Sequence, residues 1–310
     1  MKQKSIQKPI EFQGTGLHTG RLVHVRLLPA DADTGIRFIR TDMPQSKPIP
    51  ALAPNVGDTS RSTSVQCDGA AVGTIEHLMA AIAILGISNL TIETDGAEFP
   101  ILDGCSQQLI GYLRQAGIRE QETAAPYFIL DRHLRLEMPN GSWIEAFSSD
   151  HFEMELTVDY HTKVLGRQTA RLQNLEEAET AIAGCRTFCF LHEIWPLIQN
   201  NLIKGGSLDN AMVYVAQPLH EDEKQKIAEF FHLENIEVDE STGILSNTRL
   251  QFDNEAARHK LLDVLGDMQL IGMPLQAKIR AYCPGHAANT RFAQLIYNHL
   301  QAEPAHIHTF

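Results

Sequence analysis

Strand-like runs alternate with turn clusters at the start of this chain. Val23-His24-Val25-Arg26-Leu27-Leu28 and Ile36-Arg37-Phe38-Ile39 are rich in apolar and β-branched residues, and Pro29-Ala30-Asp31-Ala32-Asp33 between them has turn chemistry, so the chain begins as a sheet. The period then changes. Ile75, Leu78, Met79, Ile82 and Leu85 fall on one face of a helix over residues 75–85, with Thr74 as its expected N-cap and Gly86 as its stop before a strand over 89–93. A second helix is expected near 107–116, after the loop Phe99-Pro100-Ile101-Leu102-Asp103-Gly104. Residues 119–126 are polar, carry no apolar period and end in Pro126, which reads as a linker.

The second half repeats the order. Strands are expected near 128–136, 143–147 and 152–159, followed by a helical stretch around 175–181 with Asn174 as N-cap. After an irregular insertion comes a helix from about Asn254 to Leu270, ended by Gly272, and then a strand over 275–282. Each half places a histidine early in a long helix that leads through glycine into a strand, His77 in one and His259 in the other. This weak internal repeat predicts an α+β fold of two strand-rich layers with paired helices between them, so that helices of the two halves face each other and share a site at the junction.

With 310 residues and 43% hydrophobic content the chain can bury a full core in one large or two medium domains. A formal charge of −12 argues against a nucleic-acid partner, which needs a basic surface. The basic start MKQKSIQKPIEF is not followed by the apolar segment of a secretory signal, and no run of about 18 apolar residues occurs. A cytoplasmic protein without stable membrane insertion is therefore expected. Cysteines 67, 105, 185, 189 and 283 lack the spacing of a disulfide framework or a zinc module and read as packing residues.

The chemistry gathers on the helix that begins near 254. In Arg258-His259-Lys260-Leu261-Leu262-Asp263-Val264-Leu265-Gly266-Asp267, His259, Asp263 and Asp267 stand at i, i+4 and i+8, on one face of a helix whose neighbours are core residues. An imidazole and a carboxylate one turn apart can grip a metal ion, and Zn²⁺ accepts that donor mixture. Glu76-His77, in the first turn of the matching helix, offers a third ligand with a carboxylate beside it. Three protein ligands leave a position open for water, which a nearby glutamate can deprotonate. His286, in Gly285-His286-Ala287-Ala288-Asn289, reads as a loop histidine; near Asp267 it would be a proton donor for a leaving amine, with Asp267 orienting it rather than binding metal. Thr187 and Phe188, in Cys185-Arg186-Thr187-Phe188, offer a hydroxyl for a developing oxyanion and a ring for a sugar face. Gly205-Gly206-Ser207-Leu208-Asp209-Asn210-Ala211 lacks a phosphate-loop ending and reads as a tight turn into a strand over 212–215. His306 and His308 fall in what reads as a flexible tail.

Together these motifs, with Gly14-Thr15-Gly16-Leu17-His18-Thr19-Gly20 and Thr74-Ile75-Glu76-His77-Leu78-Met79-Ala80, resemble the bacterial UDP-3-O-acyl-N-acetylglucosamine deacetylases of lipid A synthesis. The likeness runs over nearly the whole chain, in motif order. It implies two βααβ-sandwich domains with small insertions, over about 1–121 and 127–300, the second insertion near 190–215, and a tail from 301. It implies zinc, with Fe²⁺ as the other metal these ligands accept, held by His77, His259 and Asp263. It also implies Glu76 as general base, His286 as protonated partner oriented by Asp267, and Thr187 at the oxyanion. Lys260 would meet the substrate's diphosphate; Phe188 would lie against the glucosamine and Tyr160 near the uracil. Leu17 and His18, in the Gly14–Gly20 motif, would contact substrate. The insertion over 191–215 would form an apolar tunnel for the 3-O-acyl chain, with Ile194, Ile203, Ala211 and Val213 on its wall. The expected partner is thus an acylated UDP-sugar, with no obligate protein partner. Two other classes fit parts of this pattern: a different zinc amidohydrolase acting on a sugar amide, which needs no apolar insertion, and a non-catalytic sugar-nucleotide binding protein, which needs no complete set of ligands and base.

Overall fold

The computed structural model describes residues 1–200, 203–245 and 249–309. Its helices, among the described residues, are α1 (Glu76–Leu85), α2 (Gln107–Gln115), α3 (Ala178–Ala181), α4 (Leu191–Gln199), α5 (Glu221–Phe231), α6 (Glu255–Met268) and α7 (His286–Ala302). With the sheets below they make an α+β fold.

The N-terminal half builds a five-stranded sheet in the order Ile10–Thr15, Leu22–Pro29, Leu90–Thr94, Ile36–Arg40 and Ile49–Pro50. Val23, Val25 and Leu27 point into the core while Leu22, His24 and Arg26 face solvent, as a one-sided sheet requires. The C-terminal half repeats the layout with Leu134–Glu137, Trp143–Phe147, Lys278–Tyr282, Glu153–Asp159 and Arg167–Leu172. In both sheets the middle strand is antiparallel to one neighbour and parallel to the other. In both it is the strand reached from a histidine-bearing helix through a glycine, Gly86 after α1 and Gly272 after α6. The weak repeat in the sequence is therefore a repeat of topology. One hydrophobic core joins the halves, with Leu78 and Ile82 of α1 and Leu261, Leu262 and Leu265 of α6 in a single cluster.

The two helices meet closely at Gly266. A Cβ at that position would lie 2.1 Å from the Glu76 carbonyl oxygen, so only glycine lets α6 approach the first turn of α1. This contact sets the distance between the two halves at the site.

Several expectations fail, each for a physical reason. Thr74 does not cap α1: its backbone is left-handed, with φ 58°, its hydroxyl meets Ser62 Oγ at 3.3 Å, and the helix starts at Glu76. The expected linker is a strand, Ile118–Ala124, antiparallel to Lys2–Ile6. Its inner side is held by amides, Gln121 donating to the Ala30 carbonyl at 3.0 Å and accepting from Asn89 Nδ2 at 2.8 Å, which leaves no apolar period to read. The strand expected over 128–136 is two strands in different sheets, Pro126–Ile129 and Leu134–Glu137. The return over 275–282 is likewise split, into Leu275–Gln276 and Lys278–Tyr282. The tail is also tied down. Ile307–Thr309 pairs antiparallel with Pro126–Ile129, and the His299 and His306 rings lie 2.7 and 3.5 Å from the Asp131 carboxylate. The irregular insertion contains α4, α5 and a short parallel pair, Phe188–Phe190 with Met212–Tyr214. Among the described residues, no helix is long and apolar enough to cross a membrane.

Candidate metal centre and the cleft beside it

The helical stripe read from the sequence is buried along its length: His259, Asp263 and Asp267 are each 2% exposed or less. His77 reaches the same point from α1. Its Nε2 lies 3.7 Å from Asp263 Oδ1, and His259 Nε2 lies 3.4 Å from the same oxygen. That oxygen is buried and has no hydrogen-bond partner, an expensive state for a carboxylate unless something else meets it. His259 Nδ1 donates to the Cys185 carbonyl at 3.0 Å, which fixes the tautomer that aims the Nε2 lone pair at the common centre. One donor atom from each of His77, His259 and Asp263 lies within 4.8 Å of the others. Two imidazoles and a carboxylate with an orphaned inward oxygen fit a divalent cation such as Zn²⁺ or Fe²⁺.

The electrostatics agree with that use. Burial pushes the His259 imidazole down to about 3, against the pull of Asp263, so it is a neutral donor at ordinary pH. Burial works against the Asp263 carboxylate, yet His259 and the Lys260 ammonium outweigh it and hold the group well below the usual range. The Lys260 ammonium sits 2.9 Å from Asp263 Oδ2.

Two further ionisable side chains, Glu76 and His286, flank His77, His259 and Asp263. Glu76, 5% exposed, is raised by burial, with the His286 and His77 rings pulling the other way. Its Oε2 accepts from the Thr63 backbone N–H at 3.0 Å, and its Oε1 lies 3.9 Å from His286 Nε2. His286 is not in a loop. It is the first residue of α7, reached through Gly285, and its Nδ1 lies 3.0 Å from Asp267 Oδ2. Burial opposes its charge, but Asp267 and then Glu76 outweigh burial and raise the imidazole to about 9. Asp267 also accepts from the Thr63 hydroxyl at 2.5 Å and from Asn289 Nδ2 at 2.9 Å. Asp267 thus belongs to His286 and not to the ligand cluster.

Phe188 forms the wall between this centre and the insertion. Its ring centroid is 6.3 Å from that of His259 and 5.5 Å from that of Tyr160, and the Lys260 ammonium is 5.7 Å above it. Burial pushes the Tyr160 hydroxyl up to about 12, so it stays a neutral donor. Beside Phe188 an apolar groove opens, lined by Thr187, Leu17, Ile194, Ile203, Ala211 and Val213 among others. His18 stands next to Leu17, its backbone N–H donating to Glu98 Oε1 at 2.8 Å. Both its ring nitrogens are buried without a partner, and burial lowers its pKa against the opposing charge of Glu98.

The structure therefore gathers His77, His259, Asp263, Glu76, Asp267 and His286 in one cluster, and lines one groove with the insertion residues, Leu17 and Thr187. Sequence reasoning missed Thr63, Asn289 and the Cys185 carbonyl, which orient the cluster. Thr63 and Asn289 carry no local pattern, and a backbone carbonyl carries none by nature. Sequence reasoning also missed Ser106, whose hydroxyl donates to the His77 carbonyl at 2.7 Å.

Comparison with known proteins points the same way. The family model for UDP-3-O-acyl N-acetylglycosamine deacetylase matches residues 3–231 and 215–298. A bifunctional enzyme LpxC/FabZ of Porphyromonas gingivalis is 39% identical over 305 residues, covering 98% of this chain and 66% of the relative. Another from Chlorobaculum tepidum is 41% identical over 300 residues, covering 94% and 63%. A UDP-3-O-acyl-N-acetylglucosamine deacetylase of Psychrobacter cryohalolentis is 38% identical over 292 residues, covering 93% and 83%. The chain spans just under two thirds of the length of the two bifunctional relatives. The chain belongs to the UDP-3-O-acyl N-acetylglycosamine deacetylase family.

Proposed function

We propose that the protein hydrolyses the N-acetyl group of a UDP-3-O-acyl-N-acetylglucosamine, releasing acetate and the free amine. The observation that carries this reading is the placement of Glu76 Oε1 and His286 Nε2, 3.9 Å apart, beside three convergent metal donors, one of which, His259, adjoins Phe188 in the wall of an apolar groove. His77, His259 and Asp263 would hold Zn²⁺, or Fe²⁺ in its place. When bound there, the metal supplies Lewis-acid polarisation of the amide carbonyl and lowers the pKa of water to about 7.

The chain's own groups divide the remaining work. Glu76 takes the proton from the attacking water, and its raised pKa brings it closer to the range where a base is effective. His286, charged below about pH 9, gives a proton to the departing amine nitrogen. Asp267, held by Thr63 and Asn289, keeps that ring oriented. The Thr187 hydroxyl meets the developing oxyanion. Phe188 lies against the sugar and Tyr160 near the base, and Leu17 and His18 are further substrate contacts. Lys260 is the group for the diphosphate, as a point charge that exchanges Asp263 for phosphate oxygens. The groove lined by Ile194, Ile203, Ala211 and Val213 takes the 3-O-acyl chain. A nucleotide-sugar substrate places this work in the cytoplasm, as the second half of our reading.

Acetate release from acylated and unacylated UDP-N-acetylglucosamine, measured with metal content on the same preparation, tests the proposal. Turnover of the acylated sugar alone is expected. Equal turnover of both sugars would favour a general sugar amidohydrolase, and no turnover of either would sink the catalytic reading.

A further inference from the structure

The groove does not end within the segment over 191–215. The small parallel sheet of Phe188–Phe190 and Met212–Tyr214 has two faces, as its alternating side chains require. Phe188, Phe190, Met212 and Tyr214 pack toward the body of the protein, whereas Cys189 and Val213 face the other way, in a cluster with Leu191 of α4, Val215 and α5. Helix α5 is seated on that second face by Ile227 and Ala228, both buried. Its start is fixed by Glu223 Oε2, which accepts from the His220 backbone N–H at 2.9 Å, and by three acidic residues in its first turn. At i+3 and i+4 from Ile227 the same helix face delivers Phe230 and Phe231 into the groove wall.

Phe230 is a large apolar residue left 37% exposed. Its ring stands 5.0 Å from Phe231 and 6.4 Å from Trp195 of α4, perpendicular to Trp195. The groove is continuous with the site through Phe188, whose ring adjoins His259, and its wall is apolar apart from the Thr187 and Ser207 hydroxyls. An alkyl chain is the ligand chemistry that such a wall recognises, and it must enter from the side of Phe188.

We propose that Phe230 and Phe231 are specificity-determining residues that close the groove opposite Phe188 and limit the length of the acyl chain. This rests on the deacetylase reading above, and adds to it a selector from a helix outside the segment over 191–215. Ile227 and Ala228 hold α5 in place, so the two rings form a fixed stop and not a flexible flap. A chain that reaches the rings buries each methylene; a longer one must displace an aromatic pair.

The test is kcat/KM over a series of acyl lengths on UDP-3-O-acyl-N-acetylglucosamine, using the whole chain with its metal. Phe231→Ala and Phe230→Ala should move the optimum to longer chains, with about fourfold gained for each additional methylene that becomes buried. Phe231→Trp, which fills the groove, should move the optimum to shorter chains. A helix that only buttresses the insertion would change rates without moving the optimum. An active wild type whose optimum is unchanged in all three variants, or shifted in one direction by both the smaller and the larger side chain, overturns the inference. A wild type inactive on every acylated sugar overturns the functional reading itself and the inference with it.

Discussion

His286 Nδ1 lies 3.0 Å from Asp267 Oδ2, across the join between α7 and α6. This pair decides the charge of the imidazole. The ring is raised from its ordinary value to about 9, so its charged form predominates below that pH and is lost as pH rises through 9. Activity that needs the imidazolium should therefore fall on the alkaline side near pH 9. In Asp267→Asn the alkaline limb should move to lower pH, with kcat reduced by about 10²-fold or more. A kcat/KM profile against pH reads both, and an unmoved limb in the variant would remove Asp267 from this role.

Glu76→Gln keeps an oxygen for the Thr63 N–H but cannot accept a proton. We expect deacetylation to fall by about 10²- to 10⁴-fold while bound metal stays near that of the wild type. Elemental analysis beside a single-turnover assay checks the pair of outcomes. Retained activity would refute the general-base assignment.

His259→Ala should behave differently, because it removes a donor and the partner of the Cys185 carbonyl together. Metal content and activity should fall in parallel. A chelator should reproduce the loss in the wild type, and added Zn²⁺ should restore the wild type but not the variant. Full metal occupancy in the variant, measured by elemental analysis, would argue against ligation.

Gly266→Ala tests the spacing of the two halves without touching a ligand. The new methyl would lie 2.1 Å from the Glu76 carbonyl, so α1 and α6 must separate. Unfolding in denaturant should show a loss of about 1–3 kcal/mol or more, the range of overpacked cores. Weaker metal binding should accompany it, since His77 and the α6 ligands come from the two sides of that contact. A variant of wild-type stability and metal content would show that the close approach is not needed.

Most of the candidate cluster is legible along the chain because helical spacing is a local property. His259, Asp263 and Asp267 at i, i+4 and i+8 amid core residues announce a buried polar stripe, and Glu76-His77 shows the same early-helix placement. The residues that orient the cluster are not legible in the same way. Thr63 lies 204 positions from Asp267, and Asn289 acts from α7, whose first residue, His286, has only loop signals around it in the sequence. The strand Ile118–Ala124 was hidden because amides, not apolar side chains, hold its inner side.

By itself the sequence determined the periods, and hence the two histidine-bearing helices, several strands of the two sheets and the repeat that relates the halves. It also determined the donor types that a divalent cation accepts. Only the tertiary structure decided that Thr63 and Asn289 hold Asp267 against His286. It also decided that α5 reaches the apolar groove. Periodicity fixes which face of an element is buried, whereas the partner on that face is set by packing between segments far apart in the chain, such as the approach of Gly266 to Glu76.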